Sequence, residues 1–267
     1  MPHDARAQIT ILADASSLTR RRFGTGALAA LAGAAAGGIG IGLGGCALSS
    51  ASCRVRMTVE VETAQGLRSG SSVYEINEYR EFFRTAETHA VSAGMTGEAV
   101  AVDLPDGTLF TLLDKTEDGK LLLQAIADAL APIANKFPEP SDYLAQIRRL
   151  GAAAPGQYKA ELPRIVMVDD LRGPRPKKRW PRMVRFRDIN DPRTVEMVEP
   201  EAVGVKRILL EATQDPVTTG IEKRLPPWFL ELRRKGASLD GDTSVARMTN
   251  ALSNVLGTGA FMQGTDR

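Results

Sequence analysis

Three aspartates have the side chains best suited to acid–base or metal chemistry in this sequence. Asp103 closes an alternating apolar stretch, and Asp169 and Asp170 follow a second one. Convergent carboxylates can hold a divalent ion or exchange protons with a substrate, and would then make the protein a carboxylate- or metal-dependent enzyme such as a hydrolase. Adjacent aspartates are also frequent turn formers, because their oxygens accept hydrogen bonds from nearby backbone amides. The spacing alone assigns no catalytic residue and no metal site.

Sequence signatures of other catalytic sites do not occur. The chain has no P-loop, no G-x-S-x-G elbow, no H-E-x-x-H and no C-x-x-C pair, and His89 is the only histidine after residue 45. Residues 40–45 match the letters of G-x-G-x-x-G. They lie in an apolar leader, without the preceding strand that dinucleotide binding requires. We therefore expect no cofactor.

The segment Asp188-Ile189-Asn190-Asp191 begins like a calcium loop, with oxygen ligands at alternate positions. Pro192 breaks that alternation, and neither the glycine nor the distant glutamate of an EF-hand follows in register. The sequence favours a turn in which the Asp side chains accept backbone hydrogen bonds.

A basic segment with two aromatic residues occupies positions 172–187, where eight arginines and lysines occur without an acid. In an exported protein the available anions are lipid headgroups and cell-wall polymers, so we predict contact with an anionic surface. The residues predicted to make this contact are Lys177, Lys178, Arg179 and Arg182. The alternative is a solvated segment whose charges pair with later acids, namely Glu196, Glu199 and Glu201.

A second candidate for partner binding is the cluster Pro226-Pro227-Trp228-Phe229-Leu230. An exposed aromatic and aliphatic patch can bind another protein of the cell envelope. A segment of this composition more commonly packs back on the sheet.

The amino-terminal region resembles an export signal. Arg20, Arg21 and Phe23 match the twin-arginine pattern, and a Gly/Ala-rich apolar run follows them. The run ends at Leu43-Gly44-Gly45-Cys46, which is similar to a lipoprotein processing site. Because glycine and alanine make a weak membrane anchor, we expect cleavage and acylation of Cys46 rather than a permanent span. Ala47 then favours the outer membrane over the inner one.

Charge and cysteine content restrict the partners. The chain has 34 basic and 32 acidic residues, and four of the former and two of the latter precede Cys46. The remainder is balanced, with 30 of each, so the basic pI gives no reason to expect a nucleic-acid partner. Cys46 and Cys53 are the only cysteines, and they can form a disulfide only if Cys46 is not acylated.

Apolar periodicity predicts the elements that must position these residues. Residues 54–63 and 70–76 alternate as strands, and Pro105-Asp106-Gly107 joins two more as a hairpin. Helical spacing begins at Gly119 and extends to about residue 135, and further strands are predicted at 162–168, 182–186 and 205–212. The order favours an α+β fold, mainly an antiparallel sheet or sandwich with a helical insert. We expect a signal peptide over 1–45, a lipidated tether over 46–53, one domain over 54–256 and a flexible tail over 257–267.

Three sequence blocks, at 57–62, 97–103 and 184–192, together with residues 206–225, are similar to a family of bacterial envelope proteins. The resemblance covers most of the exported part and brings no established activity, substrate or catalytic residue. Together with the leader it predicts a lipid-anchored protein facing the periplasm, acting as a non-enzymatic binding or structural module. Its predicted partners are the membrane and an envelope protein or anionic lipid.

Overall fold

Alternating apolar residues build the central strand of the protein, β1 (Ser50–Thr63), in a computed structural model that describes residues 50–80, 91–130, 132, 140–170, 173–244 and 249–264. Val55, Met57, Val59 and Val61 point to one face, as predicted, and all four are fully buried. The strand already begins at Ser50, so the second half of the predicted tether belongs to the sheet.

β1 lies inside a six-stranded sheet. It pairs antiparallel with β2 (Gly66–Arg80) from Ser50 to Thr63 and on its other side with β11 (Val205–Thr213). The strand order is β12-β3-β2-β1-β11-β6. The remaining members are β3 (Val91–Glu98), β6 (Lys159–Glu161) and β12 (Met262–Gln263).

A four-stranded antiparallel sheet, in the order β10-β9-β5-β4, packs against the first. The predicted hairpin is its edge, formed by β4 (Val100–Leu104) and β5 (Gly107–Thr116), and Gly107 provides the positive φ of the turn. The other strands are β9 (Pro181–Phe186) and β10 (Val195–Met197). β7 (Ile165–Asp170) and β8 (Gly173–Lys178) form a separate two-stranded sheet.

Two helices cover the first sheet. α1 (Leu122–Leu130) buries its apolar face, and α2 (Pro140–Gly151) packs on β1 and β2. The end of α2 approaches the strand so closely that a Cβ at Gly151 would lie 2.1 Å from the carbonyl oxygen of Ser52. The predicted helix near 119–135 is confirmed from Leu122 to Leu130, and residues 131 and 133–135 lie outside the described residues.

The buried side chains form two clusters. The first lies between the six-stranded sheet, the helices and the hairpin of the four-stranded sheet. The second is built around five aromatic rings beneath α3 (Trp228–Lys235) and α4 (Leu252–Val255). The prediction of a β-rich α+β fold is confirmed, since antiparallel strands dominate the described residues and helices are fewer.

The segment 257–264 corrects the prediction of a flexible tail. It contains a 3-10 turn at Thr258–Ala260 and strand β12, and Phe261 is fully buried. Phe261 accounts for the difference, because burying a large aromatic ring offsets the chain entropy that a Gly/Thr-rich segment loses on folding.

Over the residues that the structure describes, no helix is both long and apolar enough to span a membrane.

Candidate binding surface

The basic segment is divided between two sheets. Lys177 and Lys178 lie on β8, whereas Arg182 lies on β9 in the four-stranded sheet, and Arg179 stands between the two strands. The predicted surface of four cations is therefore not one loop, and its members have different environments.

Arg179 and Arg182 serve the fold. Arg182 pairs with Asp114 on the neighbouring strand, and burial lowers the pKa of its guanidinium. Arg179 lies 3.6 Å from Asp118, and both side chains are at most 15% exposed. This corrects their prediction as contacts for an anionic surface, because each cation is engaged by a carboxylate of the same domain.

Lys178 is available at the surface. Its side chain is 52% exposed and lies 3.6 Å from the exposed carboxylate of Glu199. Exposed ion pairs of this kind contribute about 0–1 kcal/mol and exchange readily with other partners. Lys177 is half-buried on the opposite face of the same strand. Within the described residues, no ion pair involves Lys177. The predicted pairing with later acids is thus confirmed in part, through Glu199.

The β7–β8 sheet carries an exposed apolar surface. Ile165 and Met167 on β7 are 60% and 65% exposed, more than any other large apolar side chain in the described part of the chain. Their cross-strand partners are Lys178 and Pro176, and Pro174 extends the same side. We call this surface the hairpin face, and it consists of Ile165, Met167, Pro174, Pro176 and Lys178.

The base of this hairpin is fixed to the body. The amide of Arg179 donates to the carbonyl oxygen of Arg164 at 2.6 Å, and the Trp180 indole Nε1 donates to the carbonyl oxygen of Leu162 at 2.7 Å. The Arg164 guanidinium lies 5.5 Å from the centre of the Trp180 ring and pairs with Glu117 at 3.3 Å. These contacts fix the position of the hairpin face relative to the rest of the domain, so the face does not lie on a free loop.

An acidic groove of about 650 Å³ opens near the β1–β2 turn. Its acids are held by cations of the same domain. Arg185 contacts Asp106 at 3.0 Å and Glu196 at 2.5 Å, and Lys206 contacts Glu62 at 3.1 Å. The predicted pairing with Glu196 is confirmed by Arg185, and Arg164 pairs with Glu201. These charges stabilise the groove wall internally.

The three candidate aspartates lie in two different sheets. Asp103 on β4 is exposed and pairs with Arg224, and Thr108 donates to it at 3.0 Å. The Arg224 hydrogen bond holds the pKa of Asp103 below its usual value. Asp169 and Asp170 end β7, opposite Pro174 and Gly173. Among the described residues, no cluster of three or more acidic, histidine or cysteine side chains is arranged to hold a metal ion.

A second acidic cluster was not predicted from the sequence. Asn254 donates to Asp240 at 2.8 Å and to Asp242 at 3.2 Å, and the amide of Asp242 donates to Asp240 at 3.0 Å. Backbone hydrogen bonds lower the pKa values of both carboxyls. The sequence Asp240-Gly241-Asp242 is typical of a turn. It does not indicate the contact with Asn254, which lies twelve residues after Asp242.

The calcium-like segment is a turn. Asp188 accepts from the amide of Asn190 at 2.9 Å, and Asp191 caps a 3-10 turn by accepting from the amide of Arg193 at 3.1 Å. Donors from within the segment thus bind the Oδ1 atoms of Asp188 and Asp191, which confirms the turn prediction.

The aromatic cluster after Pro226 packs inward. Phe229 is fully buried, and the Trp228 indole lies 5.6 Å from the Phe186 ring and donates to the carbonyl oxygen of Ile189 at 2.9 Å. The exposed members of the cluster are Pro227 and Leu230, the latter at 44%. Of the two interpretations of this segment, packing on the sheet is confirmed.

The leader residues Arg20, Arg21 and Phe23, the acylation candidate Cys46, and His89 lie outside the described residues. In comparisons with known proteins, no family model, no curated protein and no solved structure matches this chain. The resemblance to an envelope-protein family therefore stays a prediction.

Proposed function

We propose that the protein is a lipid-anchored binding module of the cell envelope, exported by its twin-arginine leader and acylated at Cys46. Its contact surface is the hairpin face. The observation that carries this proposal is the exposure of Ile165 and Met167 on a hairpin whose base is fixed to the domain. Contiguous exposed apolar side chains on a rigid element commonly mark an interaction site.

The surroundings of the second cysteine support acylation of Cys46. Cys53 is a free thiol and only 3% exposed, and burial raises its pKa to about 12. A thiol in this state is a poor partner for a disulfide, because exchange requires an accessible thiolate. Cys46 is therefore left available for lipid, and β1 begins four residues later, within about 14 Å of extended chain.

The state of the carboxylates favours binding over catalysis. Asp103, Glu196 and Glu62 are each engaged by a cation of the same domain. A general acid or base needs an oxygen that faces the substrate. These three acids instead tie strands and loops together.

Intact mass combined with membrane fractionation tests the anchor. We expect the natural chain in the membrane pellet, starting at Cys46 and carrying the added mass of acyl chains. The Cys46→Ala variant should keep its leader and gain no acyl mass, since the processing site is lost. A natural chain that is cleaved but unmodified, and found in the soluble fraction, would overturn the proposal.

A further inference from the structure

The two edges of the β7–β8 hairpin differ in a way that identifies a partner. We infer that the outer edge of β7 pairs, strand to strand and antiparallel, with the β7 edge of a second copy of this chain. The two hairpins then form one four-stranded sheet across a two-fold axis. This inference rests on the proposed function, because it names the partner of the hairpin that carries the hairpin face.

The register of the hairpin determines which backbone groups of β7 point away from β8. The amide of Arg179 donates to the carbonyl oxygen of Arg164, so these two residues form a hydrogen-bonded pair. Hydrogen-bonded and non-hydrogen-bonded pairs alternate along an antiparallel ladder. Ile165 and Met167 therefore fall in non-hydrogen-bonded pairs. Their amides and carbonyl oxygens point to the outer edge of β7.

The outer edge of β8 is closed to a further strand. Pro174 and Pro176 occupy the corresponding non-hydrogen-bonded positions of β8. Proline has no amide hydrogen to donate, so these positions cannot bond to a strand added outside β8. Proteins commonly protect an edge strand in this way. Because β7 contains no proline, its edge alone keeps a full set of donors and acceptors.

The edge of β7 is uncovered. Among the strands that the structure describes, β7 pairs only with β8, and its residues Ile165 and Met167 are 60% and 65% exposed. A two-stranded hairpin by itself is marginally stable in water, and additional strands stabilise it. A row of unpaired amides and carbonyl oxygens is complementary to another extended backbone. The occupant that fits this edge is therefore a strand.

The difference between the two edges favours a second copy of the chain as the source of that strand. The closed edge of β8 prevents hairpins from adding head to tail, so β7 can pair only with β7. A contact between identical edges is related by a two-fold axis and ends at a dimer. An apolar hairpin with two open edges would instead allow open-ended aggregation.

The charges of the hairpin favour an antiparallel arrangement with Met167 on the axis. In this register Met167 lies opposite Met167 of the second copy, and Ile165 lies opposite Asp169. Lys178, the cross-strand neighbour of Ile165, then shares a row with Asp169 of the second copy, two strand spacings or about 10 Å away. A parallel arrangement would place the Asp169-Asp170 pairs of both copies side by side. The antiparallel dimer separates these like charges.

The membrane anchor matters for an interface of this size. Stable protein interfaces bury roughly 800 Å² on each partner, and the edge of one six-residue strand offers less. Two copies anchored in the same membrane meet at a raised effective concentration. We therefore expect the dimer in the membrane rather than in dilute solution.

Disulfide cross-linking tests both the partner and the register. Full, processed chains are reconstituted in phosphatidylcholine vesicles, mildly oxidised, and separated by size without reductant. Met167→Cys should give a covalent dimer, because the Cα atoms of a hydrogen-bonded pair lie about 5.5 Å apart, within the range of a disulfide. The unsubstituted chain measures the background from Cys46 and from the buried Cys53.

The matched control is Ile165→Cys, which is similarly exposed. In the dimer its counterpart lies about 13 Å further along the neighbouring strand, so Ile165→Cys alone should not cross-link. A mixture of Ile165→Cys chains with Asp169→Cys chains should cross-link, because these positions are opposite each other. This pattern is specific to the antiparallel register.

A proline on the open edge provides a second measurement. Met167→Pro removes an outward amide, as Pro176 does on β8, and should raise the dissociation constant of the dimer roughly tenfold or more. Met167→Ala keeps the amide and should change the constant less. Energy transfer between copies labelled at Leu230→Cys on α3 measures both constants in vesicles.

Equal cross-linking of Met167→Cys and Ile165→Cys, each alone, would overturn the inference, since it would indicate random collisions or another arrangement. Cross-linking of Met167→Cys no greater than that of the unsubstituted chain would also overturn it. Intact mass reports acylation of Cys46 separately, and a chain without acyl groups can be cross-linked in concentrated solution. Failure of the anchor and failure of the strand pairing are therefore distinguishable.

Discussion

At the scale of single residues, burial decides what each cation of the basic segment does. Arg182 and Lys178 are four positions apart, yet the first faces a carboxylate within the domain and the second extends into solvent. Water screens the two charges of a partly buried ion pair only weakly. Removing one member therefore leaves the other as an uncompensated charge, which destabilises the fold. In an exposed ion pair, water solvates either charge when its partner is removed, so little stability is lost.

Replacing these two cations should therefore have different effects on folding. Arg182→Gln leaves the Asp114 carboxylate without its partner and should lower the free energy of unfolding by about 1–3 kcal/mol. Lys178→Gln should change it by no more than about 0.5 kcal/mol. Urea denaturation of both variants checks this, and equal losses would mean that Lys178 also serves the fold.

Glu78 is a buried carboxyl on β2, at the face of the sheet that also buries Cys53. It is 6% exposed, and one of its oxygens has no hydrogen-bond partner among the described residues. Burial raises its pKa from 4.5 to about 7. The folded protein therefore holds this proton more tightly than the unfolded chain does.

The stability of the protein should consequently fall as the pH rises from about 4.5 to about 7, and then level off as far as Glu78 is concerned. Glu78→Gln should flatten this slope and raise the free energy of unfolding above pH 7 by about 1–3 kcal/mol, because no charge is then buried. The control is Glu62→Gln on the surface. Denaturation at several pH values measures both, and an unchanged slope in Glu78→Gln would contradict the assignment.

At the scale of elements, the two main sheets are held together by a close backbone approach. Gly70 on β2 faces β4, and a Cβ at this position would lie 2.2 Å from the carbonyl oxygen of Ala101. A backbone oxygen cannot turn aside as a flexible side chain can. The absence of a side chain at Gly70 is thus a condition for the packing of the four-stranded sheet on the first.

Gly70→Ala should separate these strands and lower the free energy of unfolding by about 1–3 kcal/mol. Gly94→Ala is the matched control, because Gly94 also lies on a strand of the same sheet and a Cβ there meets nothing within 4 Å. We expect the control to change stability by less than about 1 kcal/mol. Thermal unfolding of both variants tests the difference, and similar melting temperatures would refute it.

Local patterns predicted the local elements. The alternation from Val55 to Val61 correctly predicted strand β1, and the Pro105–Gly107 turn correctly predicted the β4–β5 hairpin. Both patterns depend only on residues that are neighbours in the sequence. The hairpin face could not be predicted, because Ile165 and Met167 alternate just as buried residues do. Which side of a strand is covered depends on distant segments, and here no described segment covers it.

At the scale of the whole molecule, the carboxy-terminal segment closes the second core. Phe261 packs against Phe110 at 5.7 Å, Phe186 at 6.0 Å and Phe229 at 6.2 Å between ring centres. These residues come from four separate parts of the chain. Composition alone suggested fraying, since the one decisive ring is surrounded by small residues.

Phe261→Ala should lower the free energy of unfolding by about 3–5 kcal/mol, because it leaves a cavity among the three aromatic rings that Phe261 contacts. Val255→Ala, at a position 40% exposed, is the control and should cost less than about 1 kcal/mol. Guanidinium denaturation compares them. A loss below about 1 kcal/mol in Phe261→Ala would mean that the segment contributes little to the core.

The position of β1 has a consequence for the order in which the protein can fold. β1 emerges first from the ribosome among the described strands, yet one of its two neighbours is β11, and Val55 pairs with Ala212. Closing a contact over such a separation is slow, and it cannot start before residue 212 has been synthesised. The nascent chain thus carries an open, apolar strand through most of its translation. A route that exports cargo after folding, as proposed for this leader, gives that strand time to find its last partner before the protein leaves the cytoplasm.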